Sequence, residues 1–155
     1  MKTIDVFLAD DHQILRESLV ILLSQREGIR VVGEAADGRE AFEKIMLLRP
    51  SIAVLDISIP RLNGIELAAK LAQEAPQIKT VVLTMHKSEE FVMRALCAGV
   101  RGYVLKDNAL EELIACIEAV ERGEMFLSKS VTRLVVGELV KERRIKEGDQ
   151  PESLT

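Results

Sequence analysis

The stretch Ile52-Ala53-Val54-Leu55-Asp56 decides how the chain folds. Four consecutive apolar residues are typical of a short buried strand, and a carboxylate follows where that strand leaves the core. Three further apolar runs also end in polar residues: 4–9 leads into Asp10 and Asp11, 80–83 into Thr84, and 102–105 into Lys106. If these strands are parallel in one sheet, their polar ends meet along one edge.

Strand and helix patterns alternate from residue 4 to about residue 122. A second strand is predicted at 31–35, and helical stripes of apolar residues follow each strand. Asp37, Ser88 and Asn108 are predicted helix N-caps, and Gly123 follows the end of the fifth helix. This alternation predicts an α/β fold, a flavodoxin-like doubly wound sheet of five parallel strands in the order 2-1-3-4-5. Ligands bind such sheets at the carboxyl ends of strands one and three, where the order reverses.

The composition excludes several classes of protein. The 155 residues are 48% hydrophobic and carry a net charge of −4. A nucleic-acid-binding surface normally needs a clustered excess of positive charge, so this balance does not indicate one. No apolar run approaches the roughly 20 residues of a membrane-spanning helix, and acidic residues interrupt the early apolar run that a secretory signal would need. Cys97 and Cys116 lack metal-ligand spacing, so we expect two reduced thiols in a cytosolic protein.

The C-terminal region differs in character. Ser128 is a predicted cap for a further helix, whose broad apolar face has nothing obvious to cover within the preceding domain. That face comprises Val131, Leu134, Val135, Leu139 and Val140. Residues 141–147 mix both signs of charge and predict a solvated helix face, and 148–153 predict a flexible linker.

The polar strand ends suit a magnesium-dependent phosphoryl acceptor, because Mg²⁺ prefers oxygen ligands and phosphoryl transfer depends on positioning and charge. In order and spacing they resemble the receiver domain of two-component response regulators, over residues 3 to about 122. The matching residues are Asp10, Asp11, Asp56, Pro60, Gly64, Thr84, Tyr103 and Lys106.

The resemblance implies a role for each matching residue. Asp56 would be the nucleophile that accepts the phosphoryl group from a sensor histidine kinase. Asp11 and Asp56 would bind Mg²⁺ directly, Asp10 would act through a bound water, and the main-chain carbonyl of Ser58 would complete the protein ligands. Lys106 and the Thr84 hydroxyl would contact phosphoryl oxygens.

The resemblance also implies a switch. Phosphorylation would pull Thr84 toward the new oxygens and let the Tyr103 ring turn inward, which would reshape the face formed by the fourth helix, fifth strand and fifth helix. Ser58 and His86 would flank the phosphoryl group and influence its hydrolysis. We expect His12 to be a surface residue without a catalytic role, and Met85 to restrict access to the phosphoryl group.

The region after residue 123 resembles the linker of the NarL/FixJ subfamily. Residues 1–123 would then be the receiver, and 124–155 a linker helix and flexible tail leading to a missing LuxR-type helix-turn-helix effector domain. The resemblance implies a cytoplasmic transcription regulator that contacts DNA through that effector domain. It implies no contact with a membrane. Phosphorylation would favour a homodimer, in which the apolar face of the linker helix could be the contact.

Three alternatives remain at this point. The first is a stand-alone receiver that acts by protein contact. The second is an aspartyl-nucleophile phosphatase, but such enzymes usually carry a second Asp where this chain has Ser58, so we expect no turnover beyond the chain's own phosphoryl group. The third is a flavodoxin-like ligand binder, which would need a phosphate-binding loop where Asp10 and Asp11 stand.

Overall fold

The computed structural model of the chain is a parallel sheet covered by helices on both faces, and it describes residues 2–148. The strands are β1 (Ile4–Ala9), β2 (Ile29–Ala35), β3 (Ile52–Asp56), β4 (Lys79–Thr84), β5 (Gly102–Leu105) and β6 (Phe126–Leu127). All adjacent pairs are parallel, in the order β2-β1-β3-β4-β5-β6. The predicted doubly wound sheet is confirmed, but the predicted number of five strands is wrong, because the sheet continues into β6.

Six helices flank the sheet: α1 (Gln13–Ser24), α2 (Gly38–Leu48), α3 (Gly64–Glu74), α4 (Glu89–Cys97), α5 (Ala109–Glu121) and α6 (Lys129–Gly148). The predicted caps of α2 and α4 are confirmed, since Asp37 accepts from Glu40 N at 2.8 Å and Ser88 accepts from Phe91 N at 3.4 Å. The prediction for Asn108 is wrong in one respect. It precedes α5, but it ends a 3-10 turn (Lys106–Asn108) and its side chain makes no capping hydrogen bond.

Strand β6 is fixed by main-chain hydrogen bonds to Tyr103 of β5 and to Arg101 just before it. Phe126 N donates to Arg101 O at 3.0 Å, and Ser128 N donates to Tyr103 O at 2.9 Å. The hydroxyl of Ser128 is buried and accepts from Leu105 N at 3.2 Å. Ser128 therefore precedes α6, as predicted, but its side chain ties the chain to β5.

The core consists of two apolar layers, one on each face of the sheet. Alternate residues of β1 enter different layers, because successive side chains of a strand point to opposite faces. Phe7 and Ala9 pack in the layer with α2, α3 and α4, whereas Val6 and Leu8 pack in the layer with α1 and α5.

Helix α6 packs its first turns against the layer beside α4. Val131 is fully buried in that layer and Val135 is partly buried against it, so the expectation that this apolar face has nothing to cover is wrong for both residues. Further along α6, Val136, Leu139 and Val140 are exposed, and so are residues 141–144. Gly148 belongs to α6, and the rest of the predicted linker lies outside the described residues. Among the described helices, none is long and apolar enough to cross a membrane.

Candidate functional site

The carboxyl ends of β1, β3, β4 and β5 meet at one edge of the sheet, and Asp56 lies in the middle of that edge. It ends β3, which pairs with β1 on one side and β4 on the other. The loop after Asp56 folds back tightly, since Gly64 N donates to Ile57 O at 3.0 Å. A Cβ on Gly64 would lie 2.4 Å from the Asp56 main-chain oxygen, so this close approach requires glycine.

Asp56 is buried and held by two hydrogen bonds. Only 2% of the residue is exposed. Its Oδ1 accepts from Ser58 N at 3.1 Å, and its Oδ2 accepts from Lys106 Nζ at 2.9 Å. Lys106 Nζ also lies 3.3 Å from both carboxylate oxygens of Asp10. One ammonium group thus neutralises part of the charge of two buried carboxylates.

The acid pair divides between the interior and the surface. Asp10 is buried, whereas 40% of the Asp11 side chain is exposed. Oδ1 of Asp10 accepts from His12 N at 2.8 Å, but its buried Oδ2 has no hydrogen-bond donor among the described residues. Arg16, one turn into α1, donates to the main-chain oxygen of Asp10 and pairs with Glu34 at 3.1 Å. Arg16 therefore fixes the end of β1.

His12 faces the acidic cluster, although 62% of its side chain is exposed. The prediction that His12 lies at the surface is confirmed, but the prediction did not include its contacts with the acidic residues. Ligand atoms of Asp10, Asp11, His12 and Asp56 all lie within 4.8 Å of one another. That spacing is close enough for one ion to contact all four groups.

The loop between β4 and α4 closes the other side of Asp56. His86 Nε2 lies 3.0 Å from Ser58 Oγ, within hydrogen-bonding distance, and the His86 ring stacks on Phe91 with centroids 4.3 Å apart. The buried hydroxyl of Thr84 accepts from His86 N at 3.1 Å. His86 thus connects Thr84 at the end of β4 with Ser58 after β3.

Tyr103 contacts the same loop from inside the protein. It is fully buried, and its hydroxyl donates to His86 O at 2.8 Å. Burial raises the pKa of the phenol well above its usual value, so the group remains a donor over the physiological range. The Tyr103 ring is therefore already buried in this structure. That phosphorylation increases the share of molecules with the ring turned inward stays a prediction.

The structure brings most of the predicted site residues together and adds two. Asp10, Asp11, Asp56 and Lys106 form one cluster, Ser58 contacts Asp56 through its amide, and Thr84 faces His86. The predicted ligand role of the Ser58 carbonyl stays a prediction. The sequence interpretation gave no role to Arg16 and no contact to His12. The available signal was their position just after the acid pair, with four-residue helical spacing.

Met85 lies outside this cluster, on the surface beside α1 and α5. It is exposed and lines an apolar groove with Ile14, Leu15 and Leu110, next to Lys106 and His12. A groove of this kind at the mouth of the site gives an approaching partner an apolar surface.

The model of the response regulator receiver domain matches residues 6–118. The chain belongs to this family. Its match includes β1 through most of α5, and with them every strand end that contributes to the cluster.

Relatives and solved structures agree with this assignment. The oxygen regulatory protein NreC of Staphylococcus epidermidis is 34% identical over 143 residues, which are 92% of this chain and 66% of that protein. A LuxR-family response regulator from Aurantimonas is 34% identical with a TM-score of 0.85, over 90% of this chain and 99% of that one. RcsB of Salmonella typhimurium, in a structure concerned with DNA interaction, is 30% identical with a TM-score of 0.80, over 86% of this chain and 67% of that one. The receiver is thus similar to those of NreC and LuxR-family regulators, and the match spans just under two thirds of NreC.

Proposed function

We propose that the chain is the phosphoacceptor part of a two-component response regulator and that Asp56 carries the phosphoryl group. The observation that carries the proposal is the contact of Asp56 Oδ2 with Lys106 Nζ at 2.9 Å, beside a buried Asp10 oxygen that has no hydrogen bond among the described residues. A buried oxygen without a donor is costly unless a cation completes the site. The donor set of carboxylates fits Mg²⁺.

The chemistry assigned to these residues is a transfer between two nucleophiles. A carboxylate oxygen of Asp56 forms a bond to phosphorus as the bond from phosphorus to the phosphohistidine nitrogen of a sensor kinase breaks. The leaving imidazole keeps the electron pair and takes a proton from solvent. Hydrolysis reverses the modification, since water attacks phosphorus and releases inorganic phosphate and the Asp56 carboxylate.

Asp10, Asp11 and Asp56, with the Ser58 carbonyl, would hold Mg²⁺, which when bound neutralises charge on the phosphoryl oxygens. Lys106 would then turn from the carboxylates to a phosphoryl oxygen, and Thr84 would donate to another. The chain in this proposal turns over only its own phosphoryl group, because Ser58 stands where a hydrolase would carry a second acid.

The donor's docking surface is the apolar groove beside the site. Ile14 is 83% exposed, and Leu110 and Met85 are both 58% exposed. Large apolar side chains exposed together favour a protein contact. Their position next to Lys106 would place a kinase helix within reach of Asp56, in the cytoplasm where we propose the protein acts.

The output surface is α4 with β6 and α6. Tyr103 donates to the loop before α4, and its main-chain oxygen accepts from Ser128, so a shift at His86 or Tyr103 reaches the start of α6 directly. The phosphoryl group would favour one of two existing arrangements by binding it better. We propose that α6 passes this change to a LuxR-type DNA-binding segment beyond it, as the similarity to NreC and RcsB suggests. The exposed Val136, Leu139 and Val140 would then serve a homodimer formed on phosphorylation.

The test is incubation with acetyl phosphate and Mg²⁺ followed by intact mass measurement. The native chain should gain one phosphoryl group, and Asp56→Asn should gain none. Asp37→Asn is the matched control, because Asp37 caps α2 away from the cluster and its replacement keeps a capping side chain. A native chain that gains no mass with any phosphodonor, or an Asp56→Asn variant that gains it, would overturn the proposal.

A further inference from the structure

His12 offers a nitrogen atom to the acidic cluster. Its Nδ1 lies 3.2 Å from Asp10 Oδ1, 3.7 Å from Asp11 Oδ1 and 4.0 Å from Asp56 Oδ2. It occupies the N-cap position of α1, but its side chain makes no capping hydrogen bond. The ring is therefore turned to the cluster and not to the helix end.

The Nδ1 atom of His12 also lies beside an ammonium group. Lys106 Nζ lies 2.6 Å from Nδ1. Nδ1 is therefore close to a cation as well as to the carboxylate of Asp10, whose Oδ1 is 3.2 Å away. The same ammonium contacts Asp10 and Asp56. A cation thus already sits where one imidazole nitrogen and two carboxylates converge.

A second observation indicates that this position can take an ion other than the ammonium. Asp10 is 3% exposed, and its Oδ2 has no hydrogen bond among the residues that the structure describes. Lys106 Nζ, 3.3 Å away, is an ion-pair partner of this oxygen and not a hydrogen-bond donor to it. The oxygen keeps free lone pairs inside the cluster, where a metal ion would use them.

We propose that His12 Nδ1 is a direct ligand at this site and that the site therefore binds a divalent transition-metal ion as well as Mg²⁺, with one nitrogen and several carboxylate ligands. The inference rests on the proposed function, because it concerns the same cation site. Mg²⁺ takes oxygen ligands and gains little from an imidazole. Transition-metal ions accept imidazole nitrogen readily, so His12 shifts the preference of the site toward them.

Mn²⁺ is the probe, and electron spin echo envelope modulation detects nitrogen bound to it. The chain has two histidines, so an imidazole ¹⁴N signal comes from His12 or His86. We expect the signal in the native chain and in His86→Ala, whose imidazole contacts Ser58 instead, and its loss in His12→Ala. Because the His12 side chain is mostly exposed, His12→Ala should fold as the native chain does, which circular dichroism checks.

Affinities give the second readout. His12→Ala should weaken Mn²⁺ binding about tenfold, while Mg²⁺ binding changes by less than about twofold. Bound Mn²⁺ without a ¹⁴N signal in the native chain would overturn the inference and leave the cation site of the proposed function intact, as would a signal that persists in His12→Ala. No binding of Mn²⁺ or Mg²⁺ would overturn both, and intact mass after acetyl phosphate treatment would report the proposed function separately.

Discussion

The hydroxyl of Tyr103 donates to the main-chain oxygen of His86 at 2.8 Å, across the interior between β5 and the loop before α4. The amide of the same His86 donates to Thr84, so the loop is held from two strands at once. A movement of Thr84 therefore changes the position of His86, and with it the acceptor that the Tyr103 hydroxyl uses.

Tyr103→Phe should lower the free energy of unfolding by about 1 kcal/mol, because it removes one hydrogen bond and leaves the main-chain oxygen of His86 without that donor. Acetyl phosphate should still modify Asp56 at the native rate, since the hydroxyl does not contact that carboxylate. Urea unfolding and intact mass measure the two effects. If the variant remained folded but could no longer be phosphorylated, the Tyr103 hydroxyl would be needed for modification of Asp56, contrary to this prediction.

Ser58→Ala and His86→Ala should each speed hydrolysis of the phosphorylated chain severalfold. Ser58 Oγ and His86 Nε2 lie 3.0 Å apart, and we expect this contact to limit the approach of water to Asp56. The double variant should be no faster than the faster single variant, since either substitution breaks the same contact. Decay of the phosphorylated mass over time measures the rates. Strictly multiplicative effects would mean that the two side chains act independently.

Lys106→Met should lower the free energy of unfolding by about 3 kcal/mol in the presence of a chelator, because it leaves buried carboxylates without their ammonium partner. Mg²⁺ should restore part of this loss and stabilise the variant more than the native chain, in which Lys106 competes for the same oxygens. Chemical unfolding with and without Mg²⁺ measures both.

Lys44→Met is the control for that experiment, since Lys44 pairs with Glu40 on an exposed face of α2. It should change stability by less than about 1 kcal/mol and leave the response to Mg²⁺ unaltered. Equal responses of the two variants would show that the ion does not bind at the Lys106 cluster.

Val131→Ala should cost about 2 kcal/mol in unfolding free energy, because Val131 is fully buried between α6 and the layer beside α4. Val136→Ala, one and a half turns further along α6, should change it by less than about 0.5 kcal/mol, because Val136 is 53% exposed. Urea unfolding measures both, and a neutral Val131→Ala would mean that α6 does not dock on the receiver in solution.

Cys97 should react with a thiol reagent in the folded chain, whereas Cys116 should react only after unfolding. Cys116 is buried, and burial with the nearby Glu112 carboxylate raises its pKa from 9.0 to about 12. Between those values the unfolded chain has lost the thiol proton and the folded chain keeps it, so stability falls as the pH rises above about 9.

Mass after alkylation and unfolding at alkaline pH test the two statements. Cys97→Ser should abolish labelling of the folded chain and keep the alkaline loss of stability. Cys116→Ala should make that loss less steep. Rapid labelling of Cys116 in the folded chain would contradict its burial.

The sequence was sufficient for the features that follow from chain order and periodicity. Asp10, Asp56 and Lys106 could be placed at one edge because parallel strands carry their carboxyl ends to the same side. The N-caps of α2 and α4 could be predicted for a similar reason, since Asp37 and Ser88 act on amides only three residues away.

Features that depend on tertiary contacts could not be predicted in this way. Strand β6 has two residues, too few to show an alternating pattern. It exists because the main-chain oxygens of Arg101 and Tyr103 accept from the amides of Phe126 and Ser128. His12 has the same exposed position at the start of α1 whether its ring faces solvent or the cluster. The ring faces the cluster because it contacts Lys106, a residue far away in the sequence. The hydroxyl of Ser128 was expected to cap α6, but Leu105 N is the donor that it meets.

Strand β6 also determines how the sheet ends. A long, flat edge strand presents a row of free main-chain groups on which another chain can add a strand and begin to aggregate. Here the sheet finishes in Phe126 and Leu127, after which the chain turns at once into α6. An edge strand of two residues offers a strand of another chain very few main-chain groups to pair with. The β6 edge of the sheet is therefore protected against intermolecular pairing.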